Sequence, residues 1–221
     1  MTPYEKFDKI NKKGLLMNKK ILIDLGKRLY DKNLTVATSG NLSIKTNECI
    51  FITATGTSLG NLTEDDIVSM NTEAQELDGK KASSEKILHC EIYKQRPDVN
   101  VIIHTHPVYL TSFASCHKAL NEPIMSETVL YFEDLPAADY AMPSSLKLVK
   151  NTVKYLKQKD VVMMANHGVI AIADNIEHAF SKLETAEYYA HVTLNTLLLG
   201  GGKHLSHNDI KDLMKLKKGL G

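Results

Sequence analysis

Two histidines stand one residue apart in VIIHTHP, Val101 to Pro107. The residues before them are branched and apolar, the composition of a buried strand. Side chains at i and i+2 of a strand share a face, so His104 and His106 point one way and Thr105 the other. Imidazoles ligate metals, move protons and hydrogen-bond at neutral pH. The pair alone fits a metal site and a pair of satisfied strand histidines equally well. His167 adds to it: in ANHGVI it follows a second apolar strand, and Gly168 beside it suits a tight bend or close approach to a ligand. Three histidines at strand ends can supply three nitrogens and leave a fourth position open, the form of a catalytic zinc site. His89, His117, His178, His191, His204 and His207 fall in helices or polar loops and read as surface or structural groups.

ASSEKILHCEIY sets Glu85 behind Ser83 and Ser84 at a helix start. Serine before glutamate is ordinary cap chemistry. That is the first reading of this segment; the same residues also offer an anion site at a helix N-terminus with a carboxylate placed as general base. TSGN (Thr38 to Asn41) and TATGTS (Thr53 to Ser58) offer hydroxyls, an amide and glycine without a lysine, which suits a phosphate monoester. Either loop alone is also a plain turn.

The elements that must carry these residues follow from periodicity. Residues 3 to 32 are helical in character, with Gly14 a possible divide. LSIK and CIFITA form a hairpin around Thr46-Asn47-Glu48, TGTSLGNL is a loop, and Thr63 to Asp66 opens a helical turn. Ser83 or Ser84 caps a helix to about Gln95, closed by Pro97. Val108 to Cys116 is a helix, and Ser144 or Ser145 caps another to about Lys159. VVMMA and VIAIA are strands. Asp174-x-x-Glu177 resembles a capping box for the longest helix, with apolar Ile176, Phe180, Leu183, Ala186, Ala190, Leu194 and Leu197 at a 3.6 period, ended by Gly200 to Gly202. Irregular alternation of strands, hairpins and helices argues for a mixed sheet covered by helices.

The chain has 221 residues, 43% hydrophobic and 24% charged, enough for one α/β domain over residues 1–221. With 27 Lys+Arg against 26 Asp+Glu and no tryptophan, neither charge nor stacking favours nucleic acid. The cluster Lys211, Lys215, Lys217 and Lys218 reads as a solvated helix end. No apolar run approaches a membrane span, and the N-terminus is too charged for a signal peptide. Cys49, Cys90 and Cys116 are odd in number and outside any C-x-x-C pattern, which fits a reducing cytoplasm.

In order along the chain, SGNLS, ITATGTSLGNL, SSEKILHCEIYKQRPDVNVIIHTHP and NHGVIAI resemble the class II aldolase/adducin family from about Lys20 to Leu205. The resemblance implies an α/β; three-layer α/β/α fold with a central, largely antiparallel mixed sheet. It implies one Zn²⁺ per subunit, or another divalent metal, on His104, His106 and His167, with Glu85 as acid/base and possible fourth ligand. Phosphate would be held by Ser39, Gly40, Asn41, Thr55, Gly56, Ser83 and Ser84. Relatives are commonly homotetramers with interfacial active sites. The activity implied is reversible cleavage of a ketose 1-phosphate, of the L-fuculose or 5-deoxy-pentulose type, to dihydroxyacetone phosphate and a small aldehyde. Related 4-epimerases carry a Thr-Lys-Thr-His run where this chain has Ser-Ser-Glu, which points to the aldolase branch. Where such aldolases bring in a mid-chain tyrosine from the adjacent subunit, this chain has EPIMSETVLYF, making Glu127 a candidate proton carrier at the aldehyde oxygen, with Tyr131 nearby. Lys211 to Gly221 holds no tyrosine to replace the one found in those enzymes' tails. Dehydration of methylthioribulose 1-phosphate and decarboxylation of a 3-oxo-acid phosphate stay open on the same site. Adducin's head domain, a non-enzymatic module, shares the fold and lacks the metal set.

Overall fold

Short runs of branched apolar residues build the centre of the protein, and nearly all of them are buried. The computed structural model describes residues 12–47 and 49–220. Strands β1 (Asn41–Lys45), β2 (Ile50–Thr53), β3 (Ile67–Met70), β4 (Val101–Thr105), β5 (Ala137–Ala138), β6 (Val161–Met164) and β7 (Gly168–Ala173) form one sheet in the order β3-β2-β1-β4-β7-β6-β5. Every neighbouring pair is antiparallel except β5 and β6.

A sheet that is apolar on both faces must be covered on both. Helices α1 (Lys12–Asp31), α3 (Val108–Ser115) and α6 (Ile176–Leu198) cover one face. There Leu25, Phe113 and Phe180 meet Leu42, Phe51 and Ile103. Helices α2 (Lys86–Gln95) and α5 (Leu146–Leu156) cover the other, where Leu88 and Leu148 meet Ile52, Ile102 and Ile170. Neighbours on β4 go to opposite layers, Ile102 to one and Ile103 to the other, as a period of two requires. The short α4 (Ser126–Tyr131) packs against the last helix, α7 (His207–Leu220). This is the α/β/α arrangement with a mixed, largely antiparallel sheet that the sequence predicts.

Several local expectations need correction. Gly14 lies inside α1 and does not divide it; residues 3–11 and Glu48 lie outside the described residues. TGTSLGNL contains a 3₁₀ turn, Leu59–Asn61. The Asp174/Glu177 capping box does not form. Asn175 occupies the extended cap position and its side chain accepts from His178 N, while Glu177 pairs with Arg28 of α1 at 2.8 Å. Leu197 is 55% exposed, because burial along α6 ends near Leu194. α5 ends at Leu156 and is capped by Ser145.

Glu187 on α6 has a structural task that periodicity did not reveal. Its two carboxylate oxygens accept from Tyr109 N at 2.9 Å and Leu110 N at 2.8 Å, the first turn of α3. Pro107, at the cap position, makes no side-chain hydrogen bond there. Burial pushes the Glu187 carboxyl pKa upward against those two N–H donors. Glu187→Ala is expected to cost about 1–2 kcal/mol, read as a lower urea midpoint at unchanged slope.

Candidate active site

The antiparallel register of β4 and β7 sets His104 opposite Ile170 and Thr105 opposite Val169. The end of β4 therefore lies beside the start of β7, and the three histidines gather there. Their ring centroids are 4.8–5.1 Å apart and their planes cross at 65–70°. One ligand nitrogen from each lies within 4.8 Å of the others. His106 falls one residue past the end of β4, so strand alternation alone does not aim it. Gly168 makes room for its ring: a Cβ there would sit 2.3 Å from His106 Cδ2 and 2.6 Å from the Thr105 carbonyl oxygen. Gly40, at φ +84°, gives similar clearance to the His104 carbonyl, 2.5 Å from where its Cβ would be.

Glu85 approaches from the other side. It occupies the cap position of α2 but caps nothing with its side chain. Neither Ser83 nor Ser84 is the cap; the Ser83 hydroxyl takes the Glu85 N–H at 3.3 Å in a turn before the helix. That turn points the carboxylate inward. It is 4% exposed, with Oε2 accepting from Asn41 Nδ2 at 3.1 Å and lying 3.2 Å from His104 Nε2. Oε1 has no hydrogen-bond partner and lies 3.7 Å from His167 Nε2. Burial pushes the Glu85 pKa upward, but His104, His167 and the Asn41 amide outweigh it and hold the carboxyl below its usual range.

The donor set fits a divalent cation. His104 Nδ1 is 2.9 Å from the Val169 carbonyl, which only accepts, so Nδ1 carries a proton and Nε2 is the nitrogen placed to ligate. Nε2 faces His106 Nε2 at 3.2 Å and the Glu85 carboxylate. Burial, then neighbouring His104, lowers His106 to about 3 and His167 to about 4, so both stay neutral and able to ligate near pH 7. Converging lone pairs and an unpartnered buried carboxylate oxygen are what a cation would satisfy.

The cluster forms the floor of a cleft of about 170 Å³, whose walls are Thr38, Gly40, Asn41, Thr55, Gly56, Ser83, Ser84, Pro143 and Ser144. Its size suits a compact polar substrate, because clefts for drug-sized ligands run to about 300–1,000 Å³. Ala54 and Ala82 pair in an antiparallel bridge, with Thr55 N–H donating to Lys81 O and Ser83 N–H to Thr53 O, which sets the two loop segments side by side. Two predicted residues are not on the wall. Ser39 donates its hydroxyl to the Val36 carbonyl, and Glu127 is exposed on α4. Asn41 is present, but its amide nitrogen is engaged by Glu85.

The Class II Aldolase and Adducin N-terminal domain model matches residues 20–194. The chain belongs to this family. It is 37% identical over 183 residues to the L-fuculose phosphate aldolase of Methanocaldococcus jannaschii, covering 83% of this chain and 99% of the relative. Two relatives stand at 29% over 204 residues, each match covering 90% of this chain. They are the 5-deoxy-D-ribulose 1-phosphate aldolase of Bacillus thuringiensis (95% of its length) and the 3-oxo-tetronate 4-phosphate decarboxylase of Haemophilus influenzae (96%). A solved L-fuculose 1-phosphate aldolase superposes with a TM-score of 0.84 at 30% identity, over 91% of this chain and 96% of that one. Family and relatives together make the chain an enzyme of the aldehyde-lyase class, with a His104/His106/His167 cluster able to bind a metal.

Within the family fold, Pro143 and Ser144 are wall residues outside every loop the sequence offers for phosphate, while Thr38 lies in TSGN, which it does offer. Ser144 adopts φ +63°, an uncommon backbone state for a side-chain-bearing residue, and leaves the cap of α5 to Ser145.

Proposed function

We propose that the chain acts as a single-domain, zinc-dependent aldolase of the cytoplasm, cleaving a ketose 1-phosphate to dihydroxyacetone phosphate and a small aldehyde. The observation that carries this is Glu85: a buried carboxylate with one unpartnered oxygen, set between three imidazoles and a wall of hydroxyl and glycine donors. His104, His106 and His167 would hold the cation, with Glu85 as a possible further ligand. Bound there, it supplies Lewis-acid stabilisation of the negative charge that develops on the ketone half as the C–C bond breaks.

The chain's own residues do the rest. Thr38, Gly40, Thr55, Gly56, Ser83 and Ser84 present N–H and O–H donors to the phosphate without a lysine. Ser39 and Asn41 stand behind that wall and would contribute through the loop they share. Glu85 delivers a proton to the hydroxymethyl carbon in cleavage and removes it in synthesis. The proton at the aldehyde oxygen falls to Glu127 of a neighbouring subunit in a homotetramer, consistent with its exposure on α4. Among the described residues no helix is long and apolar enough to cross a membrane.

A panel of ketose 1-phosphates tests the reading. L-Fuculose 1-phosphate or a 5-deoxy-pentulose 1-phosphate should release dihydroxyacetone phosphate with lactaldehyde or acetaldehyde. Loss of water from methylthioribulose 1-phosphate, or of CO₂ from a 3-oxo-acid phosphate, with no dihydroxyacetone phosphate from any sugar, would replace the aldolase by those chemistries. Metal analysis and sedimentation velocity check zinc and the tetramer.

A further inference from the structure

Glu85, His89 and Tyr93 recur every four residues along one face of α2 and its leading turn, while Asn41 and Ser43 share one side of β1. The two rows interlock. Asn41 Nδ2 donates to Glu85 Oε2 (3.1 Å), Asn41 Oδ1 is 2.6 Å from His89 Nε2, His89 Nδ1 is 2.7 Å from Ser43 Oγ, and Ser43 Oγ is 2.7 Å from the Tyr93 hydroxyl. The Tyr93 hydroxyl is also 3.4 Å from the Asn100 carbonyl, too long to compete. None of the five side chains is more than 7% exposed.

The direction of each bond follows from the carboxylate. An ionised carboxylate only accepts, so Asn41 must turn its amide nitrogen to Glu85 and its oxygen to His89. His89 must then donate from Nε2 and accept at Nδ1 from Ser43, which accepts from Tyr93. Burial lowers His89 to about 3, so it carries one proton and no charge. A primary amide is a poor proton relay at neutral pH, so the row orients Glu85 and does not feed it protons.

We propose that His89 is a positioning residue for Glu85: its Nε2–H anchors the Asn41 amide oxygen, and the anchored amide holds the carboxylate in place. Without the donor, the amide oxygen is unheld and Asn41 can swing away from Glu85 Oε2. The inference rests on Glu85 as the proton-moving group.

The test replaces His89 by Gln, Asn and Leu in the metal-loaded enzyme. Gln sets an N–H near the Nε2 position and keeps Asn41; Asn reaches only the Nδ1 position and keeps Ser43 alone. His89→Gln should hold kcat within about threefold, while His89→Asn and His89→Leu lose about ten- to a hundredfold at unchanged KM and metal content. A second measurement is independent of turnover. The Asn41 side-chain NH₂ resonances should stay resolved and slow to exchange in the wild type and His89→Gln, and exchange fast in His89→Asn. Equal impairment of the Gln and Asn variants, a KM that rises as kcat falls, or unchanged Asn41 signals in His89→Asn would overturn the role. Glu85→Gln separates the two readings. Full turnover there removes the base itself, whereas a crippled Glu85→Gln beside an unimpaired His89→Asn overturns His89 alone.

Discussion

Glu85→Gln is expected to keep its fold and its metal and to lose about 10²–10⁴-fold in turnover. The carboxamide is nearly isosteric, and its oxygen can still accept from Asn41 Nδ2 in place of Oε2. The substitution removes the ability to take and return a proton while the three histidines and the Asn41 contact stay in place. It therefore separates chemistry from architecture better than Glu85→Ala, which would leave a void at a position 4% exposed. The sharper assay needs no aldehyde. Wild-type enzyme in D₂O should exchange one hydroxymethyl proton of dihydroxyacetone phosphate, and Glu85→Gln should not. Turnover and exchange near wild type, with metal present, would remove Glu85 from the reaction.

Gly168→Ala should do comparable damage by a different route, lowering metal affinity by about 10–100-fold although no ligand is changed. The added Cβ would lie 2.3 Å from a His106 ring carbon and 2.6 Å from the Thr105 carbonyl oxygen. The first clash can be relieved by turning the imidazole away from its partners. The second is with backbone and can be relieved only by parting β4 from β7. Overpacking of this kind also costs about 1–3 kcal/mol of stability. Competition with a chelator measures the affinity, and denaturant unfolding the stability. Gly14→Ala is the control: its Cβ would meet nothing within 4 Å, inside a helix, so metal binding should be untouched. Wild-type chelator resistance in Gly168→Ala would mean that His106 does not need the position it occupies.

The parts of the fold and site that could be read from sequence are those where one residue type has one physical meaning. Branched apolar runs in VIIHT, VVMM and GVIAIA became central strands because little else satisfies them. The three histidines and Glu85 were identifiable because their types are chemically specific, and the fold brought all four together. Cap positions were missed by one or two residues at α2 and α6. Ser, Asp and Asn compete for the same seat there, and tertiary contacts such as Glu177 with Arg28 decide which one takes it. Ser39 was misplaced relative to Thr38 for a related reason: in a hydroxyl-rich loop, backbone direction selects which side chain faces inward. His89 read as a structural histidine, and it is buried as one. What it touches could not be known before β1 and α2 were laid side by side, because Asn41 and Ser43 are distant in sequence and common in turns.

Asn41 pairs directly with His104 where β1 meets β4, and Ser43 with Ile102. A one-residue slip of β1 would turn every side chain to the opposite face. Leu42 and Ile44 would still find an apolar layer, since both faces of the sheet are covered, so hydrophobicity discriminates weakly against the error. Glu85, His89 and Tyr93 would lose their partners in the interior, and each stranded polar group costs about 1–3 kcal/mol. The buried polar residues around Glu85 therefore also discriminate the native β1 register from a slipped one, a task the apolar layers do poorly.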